Sequence, residues 1–368
     1  EALLISVGDL ALDNERNIYV ATTTSLNDLP VTAGAFQPEK NAVNPDRTDI
    51  WIAKLDPTAS ALLGATYLGG AHNDTIGALA ISPNQTGLVY LVGTTESDDF
   101  PVQNPLQPRP TPDSGIGDTE FSTDAFVAAL DLTVSPEVST MKLLSSTYFG
   151  GSRGDFLTDV AIDAAGSVYV VGSTNSADLP LANPLQPAWN DGPIFHELGS
   201  AIVAHDLIAA KFDASLTGLE FSTYLGGSGH DYQARLAVDP NGTIHVAAHS
   251  AGKVHDINGN AVSTADFPVL NAVQTTFGGG DPGIGSLETD AVVLAIGQRG
   301  VVSGIGSRAT LGREFNDIVA NFNSFRHTAS PDDFTATIHW GDGTTSAGTV
   351  SRPSSGIPTF LVSGTHVY

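Results

Sequence analysis

Short apolar runs recur along the chain, each bounded by Gly, Pro, Asp or Asn, and no amphipathic segment of helical length stands among them. The third stretch of this kind shows the grammar. Runs at 156–162, 167–172, 206–212 and 218–224 are separated by turns such as Asp163-Ala164-Ala165-Gly166 and Asp213-Ala214-Ser215. Consecutive strands joined this way form an antiparallel meander. The second run of each set is apolar on both sides, as in Val168-Tyr169-Val170-Val171 and Val89-Tyr90-Leu91-Val92. A strand with one wet face alternates, so continuous apolarity predicts a sheet covered on both faces.

The sets repeat. An acid, then Leu or Phe, then Pro returns at Asp28-Leu29-Pro30, Asp99-Phe100-Pro101, Asp178-Leu179-Pro180 and Asp266-Phe267-Pro268, at intervals of 71, 79 and 88 residues. Drifting intervals describe a fixed unit with loops of variable length. Other markers keep their order around it. The apolar run centred on Tyr19, Tyr90, Tyr169 and His245 comes before it, and Gln37-Pro38, Gln107-Pro108, Gln186-Pro187 and Gln274 come after. An acid then opens the next strand at Asp49, Asp124, Asp206 and Asp290. Three units close on Thr-Tyr-x-Gly-Gly, at 66–70, 147–151 and 223–227. Units at about 1–70, 71–151, 152–227 and 228–300 follow, and four-stranded units buried on both faces are read as β-propeller blades.

These motifs resemble the bacterial SBBP-type β-propeller repeat over roughly residues 5–297. The resemblance rests on Thr-Tyr-Leu-Gly-Gly, Val168 to Thr174, the acid/Phe/Pro signature and Asp124-Ala125-Phe126-Val127-Ala128. It implies a secreted or surface propeller, often within a large modular protein, and supplies no catalytic residues. Residues 301–368 differ. Phe334, Ala336, Ile338 and Trp340 alternate along one strand into Gly341-Asp342-Gly343-Thr344, and His366-Val367-Tyr368 comes at the end. This stretch resembles the PKD/Ig-like β-sandwich of bacterial surface proteins, a spacer or adhesive module, here expected to lack its final strand. The fold class expected is therefore all-β, a propeller followed by a sandwich.

Both ends are expected to be open. The fourth unit has no Thr-Tyr-x-Gly-Gly strand, and the first begins directly at its first strand near Ile5. Either these residues belong to a longer polypeptide, or a neighbouring subunit donates a strand to an unpaired edge and builds a filament.

Composition narrows the partners. A formal charge of −25 argues against nucleic acid, whose phosphates reward Lys and Arg. The absence of Cys excludes disulfides and thiolate chemistry. No run approaches a membrane helix, and no leader peptide is visible at Glu1.

Candidate chemistry is sparse. The long connections at 24–48, 96–123, 175–205 and 250–289 all emerge on one side, which is the default ligand surface. Asp113 and Asp118 lead to Asp124, and Asp281 leads to Asp290, on Gly-rich loops whose carboxylates could hold calcium; turn formation is the simpler role. Asp256, Asn258 and Asn260 open like a calcium loop but lack the Gly and Glu of an EF-hand. His245 and His249 share a strand face with His255 nearby, and His245, standing where other units have Tyr, is expected to be a packed core imidazole rather than a zinc ligand. The acid that opens each third strand is too regular for a glycosidase pair and is expected to cap turn amides.

The reading is a non-enzymatic extracellular surface protein with a structural, adhesive or filament-forming role. It needs no cofactor, and its partners are its own copies or other surface proteins. The alternative is a calcium-dependent, lectin-like propeller that binds glycans, with a polysaccharide-acting enzyme behind both.

Overall fold

The computed structural model describes residues 5–42, 44–112, 123–133, 140–190, 195–197, 200–202, 204–240, 242–255, 261–263, 266–268, 288–296, 303–304, 314–323, 330–340, 342, 344–352 and 359–367. The chain is all-β. It divides into two compact units, one running to Pro240 and from Ile244 to Ala295, the other chiefly from Ile296 onward.

The first unit is a succession of antiparallel sheets. Sheet one holds β1 (Ile5–Leu12), β2 (Ile18–Thr24), β3 (Asp49–Leu55) and β4 (Leu62–Leu68) in that order. Sheet two repeats the order with β5 (Asp74–Ile81), β6 (Leu88–Thr95), β7 (Asp124–Asp131) and β8 (Lys142–Phe149). Sheet three has β9 (Asp155–Ile162), β10 (Val168–Thr174), β13 (Asp206–Phe212) and β14 (Leu219–Leu225). A small hairpin, β11 (Phe195–Glu197) and β12 (Ser200–Ile202), lies between its second and third strands.

The fourth sheet is shorter. β15 (Asp231–Val238) pairs with β16 (Ile244–His255), which pairs in turn with β18 (Glu288–Ile296) and, near its end, with β17 (Ala261–Ser263). Among the described residues no strand pairs with the outer edge of β18, as the missing Thr-Tyr-x-Gly-Gly motif predicts.

The sheets stack through their first strands, β1 on β5, β5 on β9 and β9 on β15. No comparable packing brings β15 back to β1 among the described residues. Between sheets one and two lie Tyr19, Ile52, Leu79, Leu91 and Phe126; between two and three lie Tyr90, Val127, Val170, Ile208 and Phe212. This explains why the second strands carry no polar alternation: every residue of β10 is buried. Bulges in the first strands let them approach closely. A β-carbon on Gly77, at the bulge of β5, would lie 2.1 Å from the Leu157 carbonyl oxygen, so only Gly fits there. Acids sew neighbouring sheets together, with the Leu79 amide donating to Asp9 Oδ2 at 3.0 Å and the Leu236 amide to Asp159 Oδ2 at 2.8 Å.

One expectation fails at the fourth sheet. His245 is not a core imidazole; its side chain is 50% exposed and lies 3.9 Å from Asp239. Tyr19, Tyr90 and Tyr169 are buried because the next sheet covers their face, whereas Arg235, His245, Ala247 and His249 share a face that nothing covers among the described residues. The alternation of exposed His245, Ala247 and His249 with buried Val246 and Ala248 is that of a solvated terminal sheet.

The second unit contains β19 (Ser303–Gly304), β20 (Glu314–Asn323), a 3-10 turn at Pro331–Asp333, β21 (Ala336–His339), β22 (Thr345–Ser351) and β23 (Thr359–Val367). Its described strands form one five-stranded sheet, ordered β19-β20-β23-β22-β21. Ile338, Trp340, Phe360 and Val362 make its core, in keeping with the alternation in the sequence. β23 is an interior strand with β20 on one side and β22 on the other, so the open edge expected at the His-x-Tyr strand does not lie there. Trp340 stacks on His366 at 4.8 Å, and His366 Nε2 meets Asp342 Oδ2 at 2.8 Å, which ties the turn to β23. No helix among the described residues is long and apolar enough to cross a membrane.

Candidate functional site

The conserved order of the motifs becomes a three-dimensional joint wherever one sheet passes into the next. The Thr-Tyr-x-Gly-Gly strand ends at a Gly-Gly turn, and three acids surround it. The first opens the third strand of the same sheet: Asp49, Asp124 and Asp206. The second, four residues beyond the second Gly, opens the first strand of the next sheet: Asp74, Asp155 and Asp231. The third belongs to the acid/Phe/Pro signature of that next sheet. Its carboxylate accepts the amide just past the turn, Ala71 to Asp99 at 2.8 Å, Ser152 to Asp178 at 2.8 Å and Ser228 to Asp266 at 2.7 Å.

The first two acids of each joint are wholly or almost wholly buried. Their backbones meet directly, since the amides of Asp74, Asp155 and Asp231 donate to the carbonyls of Thr48, Thr123 and His205, each the residue before the other acid. A β-carbon on Gly226 would sit 2.6 Å from Asp206 Oδ1 and 2.7 Å from Asp231 Oδ2, so the absence of a side chain there is what lets the two carboxylates close on the turn.

The Gln of the Gln-Pro turn bridges the same elements. Gln37 accepts the Gly69 amide through Oε1 and donates to Asp49 Oδ2 at 3.1 Å; Gln186 accepts from Gly226 and donates to Asp206 Oδ2 at 3.0 Å. The Asn41 and Asn190 amides donate to the same Oδ2 atoms at 2.8 and 3.0 Å. The second-set acids accept the following Gly amides, with Gly70 to Asp74 at 2.6 Å and Gly151 to Asp155 at 2.7 Å. The closing Tyr bolts the signature from behind. Tyr224 Oη donates to the Ser176 carbonyl at 2.9 Å and accepts the Leu179 amide at 3.1 Å, and Tyr67 and Tyr148 do the same in their sheets.

Burial dominates the electrostatics. It pushes Asp49 up to about 6, Asp74 and Asp155 to about 7, Asp231 to about 7 and Asp206 to about 8, partly offset by the amides and hydroxyls that favour the charged form. Asp231 and Asp266 push Asp206 up further by repulsion. At the last joint His205 and His230 stand beside the acids with ring centroids 4.7 Å apart. The His205 amide donates to His230 Nδ1 at 3.2 Å, the bond that Thr48 makes to Asn73 Oδ1 in the first joint. Burial lowers the two rings to about 4 and about 3, so both are neutral at pH 7.

Of the residues proposed from sequence as calcium ligands, Asp124 opens β7 inside the second joint and Asp290 lies on β18. Asp113, Asp118, Asp256, Asn258, Asn260 and Asp281 lie outside the described residues. Among the described residues no three His, Cys, Asp or Glu side chains converge as a metal cage. Of the third-strand acids, Asp49 and Asp206 accept loop amides, and Asp49, Asp124 and Asp206 are buried beside Asp74, Asp155 and Asp231. The sequence reading passed over that second set, although its fixed distance from Gly-Gly was visible.

Residues 146–180 match the family model described as the SBBP beta-propeller repeat. That span runs from β8 through Gly150-Gly151, Asp155, β9 and β10 to Asp178-Leu179-Pro180, so it contains the Gly-Gly turn and two of the three acids of the second joint. No curated protein matches the chain.

Proposed function

We propose that the chain is a non-enzymatic protein of the cell exterior with a structural, adhesive or filament-forming role, assembling copy to copy through the open ends of its array of sheets. The observation that carries this reading is a flank of sheet one that nothing covers among the described residues. Leu10 and Leu12 are 58% and 59% exposed there, on a strand whose counterpart residues in sheet two, Leu79 and Ile81, pack against sheet one. Apolar surface of this kind marks an interaction site.

At the other end the free face of sheet four carries Arg235, His245 and His249 and suits water, but the outer edge of β18 has no strand partner among the described residues and Val293 beside it is 80% exposed. Strand addition to that edge fits better than stacking on that face. Light scattering on the purified chain together with negative-stain microscopy tests the reading. Ordered polymers are expected, broken by Leu10→Asp combined with Leu12→Asp. A chain that stays monomeric at high concentration would refute self-assembly.

A further inference from the structure

We propose that the joint between sheets three and four binds one calcium ion between the carboxylates of Asp206 and Asp231.

Both side chains are entirely buried. Asp206 Oδ2 accepts Gln186 Nε2 and the Asn190 amide, while Oδ1 has no hydrogen-bond partner among the described residues and lies on the Gly226 side, where Asp231 Oδ2 also lies. A buried carboxylate oxygen left unpaired beside a second carboxylate is a costly arrangement unless positive charge enters between them.

The same position in the first joint has a protein-borne cation nearby. Lys40, whose ammonium is held by the carbonyls of Ser25, Pro45 and Arg47, acts on Asp49 and favours its charged form. At the last joint no Lys or Arg among the described residues forms an ion pair with Asp206 or Asp231. An external cation supplies there what Lys40 supplies in the first joint. The oxygens on hand are hard donors. Beside the carboxylates stand the carbonyls of His205 and Gly226, each already accepting one bond with a second lone pair to spare. Oxygen-only donors in an irregular cradle suit calcium, and neither zinc nor magnesium.

The test is calcium titration of the full chain after EDTA dialysis, read by isothermal calorimetry and by thermal melting. One binding event is expected, with a melting temperature several degrees higher in calcium and a response at least about tenfold weaker to magnesium. Asp206→Asn removes the repulsion, so it is expected to fold and to melt no lower than the wild type in EDTA, while losing the calcium heat and the calcium shift. Asp213→Asn, at an exposed turn, serves as the control that keeps both. No heat at millimolar calcium or an undiminished response in Asp206→Asn would each overturn the proposal.

Discussion

Replacing Tyr224 by Phe tests the joint at a single oxygen atom. The ring is fully buried, and burial holds its hydroxyl up at about 12, so it remains a donor at any working pH. The change keeps the ring and strips two groups of their partner, the Ser176 carbonyl at 2.9 Å and the Leu179 amide at 3.1 Å. Each buried group left unsatisfied costs about 1–3 kcal/mol, and the relief of no longer burying the hydroxyl offsets part, so a loss of about 2–4 kcal/mol is expected. At about 2–4 °C per kcal/mol, the melting temperature should fall by about 4–16 °C.

The equivalent change at Tyr148 supplies an internal comparison. Its two partners are the Ser97 carbonyl and the Phe100 amide, and these already approach each other at 3.3 Å. When the hydroxyl goes they can pair with each other, so Tyr148→Phe should cost about half as much. Calorimetric melting of both variants in one buffer decides the matter. A Tyr224→Phe protein within about 0.5 kcal/mol of the wild type, or a Tyr148→Phe protein that suffers more, would refute the reasoning.

Asp155 carries a pH prediction. Its carboxyl is raised to about 7 in the folded chain against 3.8 as the ordinary value, so the unfolded chain ionises first; the contribution is full below about pH 4 and is lost as the pH rises through about 7. In EDTA, the wild type's melting temperature relative to Asp155→Asn should therefore fall between pH about 5 and about 8, and a flat difference would contradict the assignment. Gly150→Ala places a β-carbon 2.3 Å from Asp124 Oδ1 and 2.7 Å from Asp155 Oδ2, and should cost about 2–3 kcal/mol in denaturant unfolding. Gly154→Ala crowds the side-chain ring of Phe156, at 3.1 Å, with Asn175 Oδ1 at an ordinary 3.5 Å, and should cost less than half of that; equal costs would mean that the joint yields freely.

The strands themselves were legible because their signals are local. Alternation, turn residues and the unbroken apolarity of runs such as Val168 to Val171 depend on neighbours along the chain, and the strands fall where those patterns place them. The outer edge of β18, left without a strand partner among the described residues, was legible too, as the absence of one motif. The joint was legible only in parts: its acids, its Gln and its Gly-Gly turn were all visible as repeated residues, with nothing in the spacing to say that two of the acids share one buried site. His245 shows the same limit. Its place in the repeat predicts a core ring, and it is exposed because burial is decided by whether another sheet arrives to cover that face.

By itself the sequence determined the repeat, the order and length of its strands, and a charge of −25. Tertiary structure decided which carboxylates are buried together and which apolar faces are left exposed among the described residues. Both depend on contacts between segments far apart in the chain, and a carboxylate's charge state follows from the water and the charges around it in space.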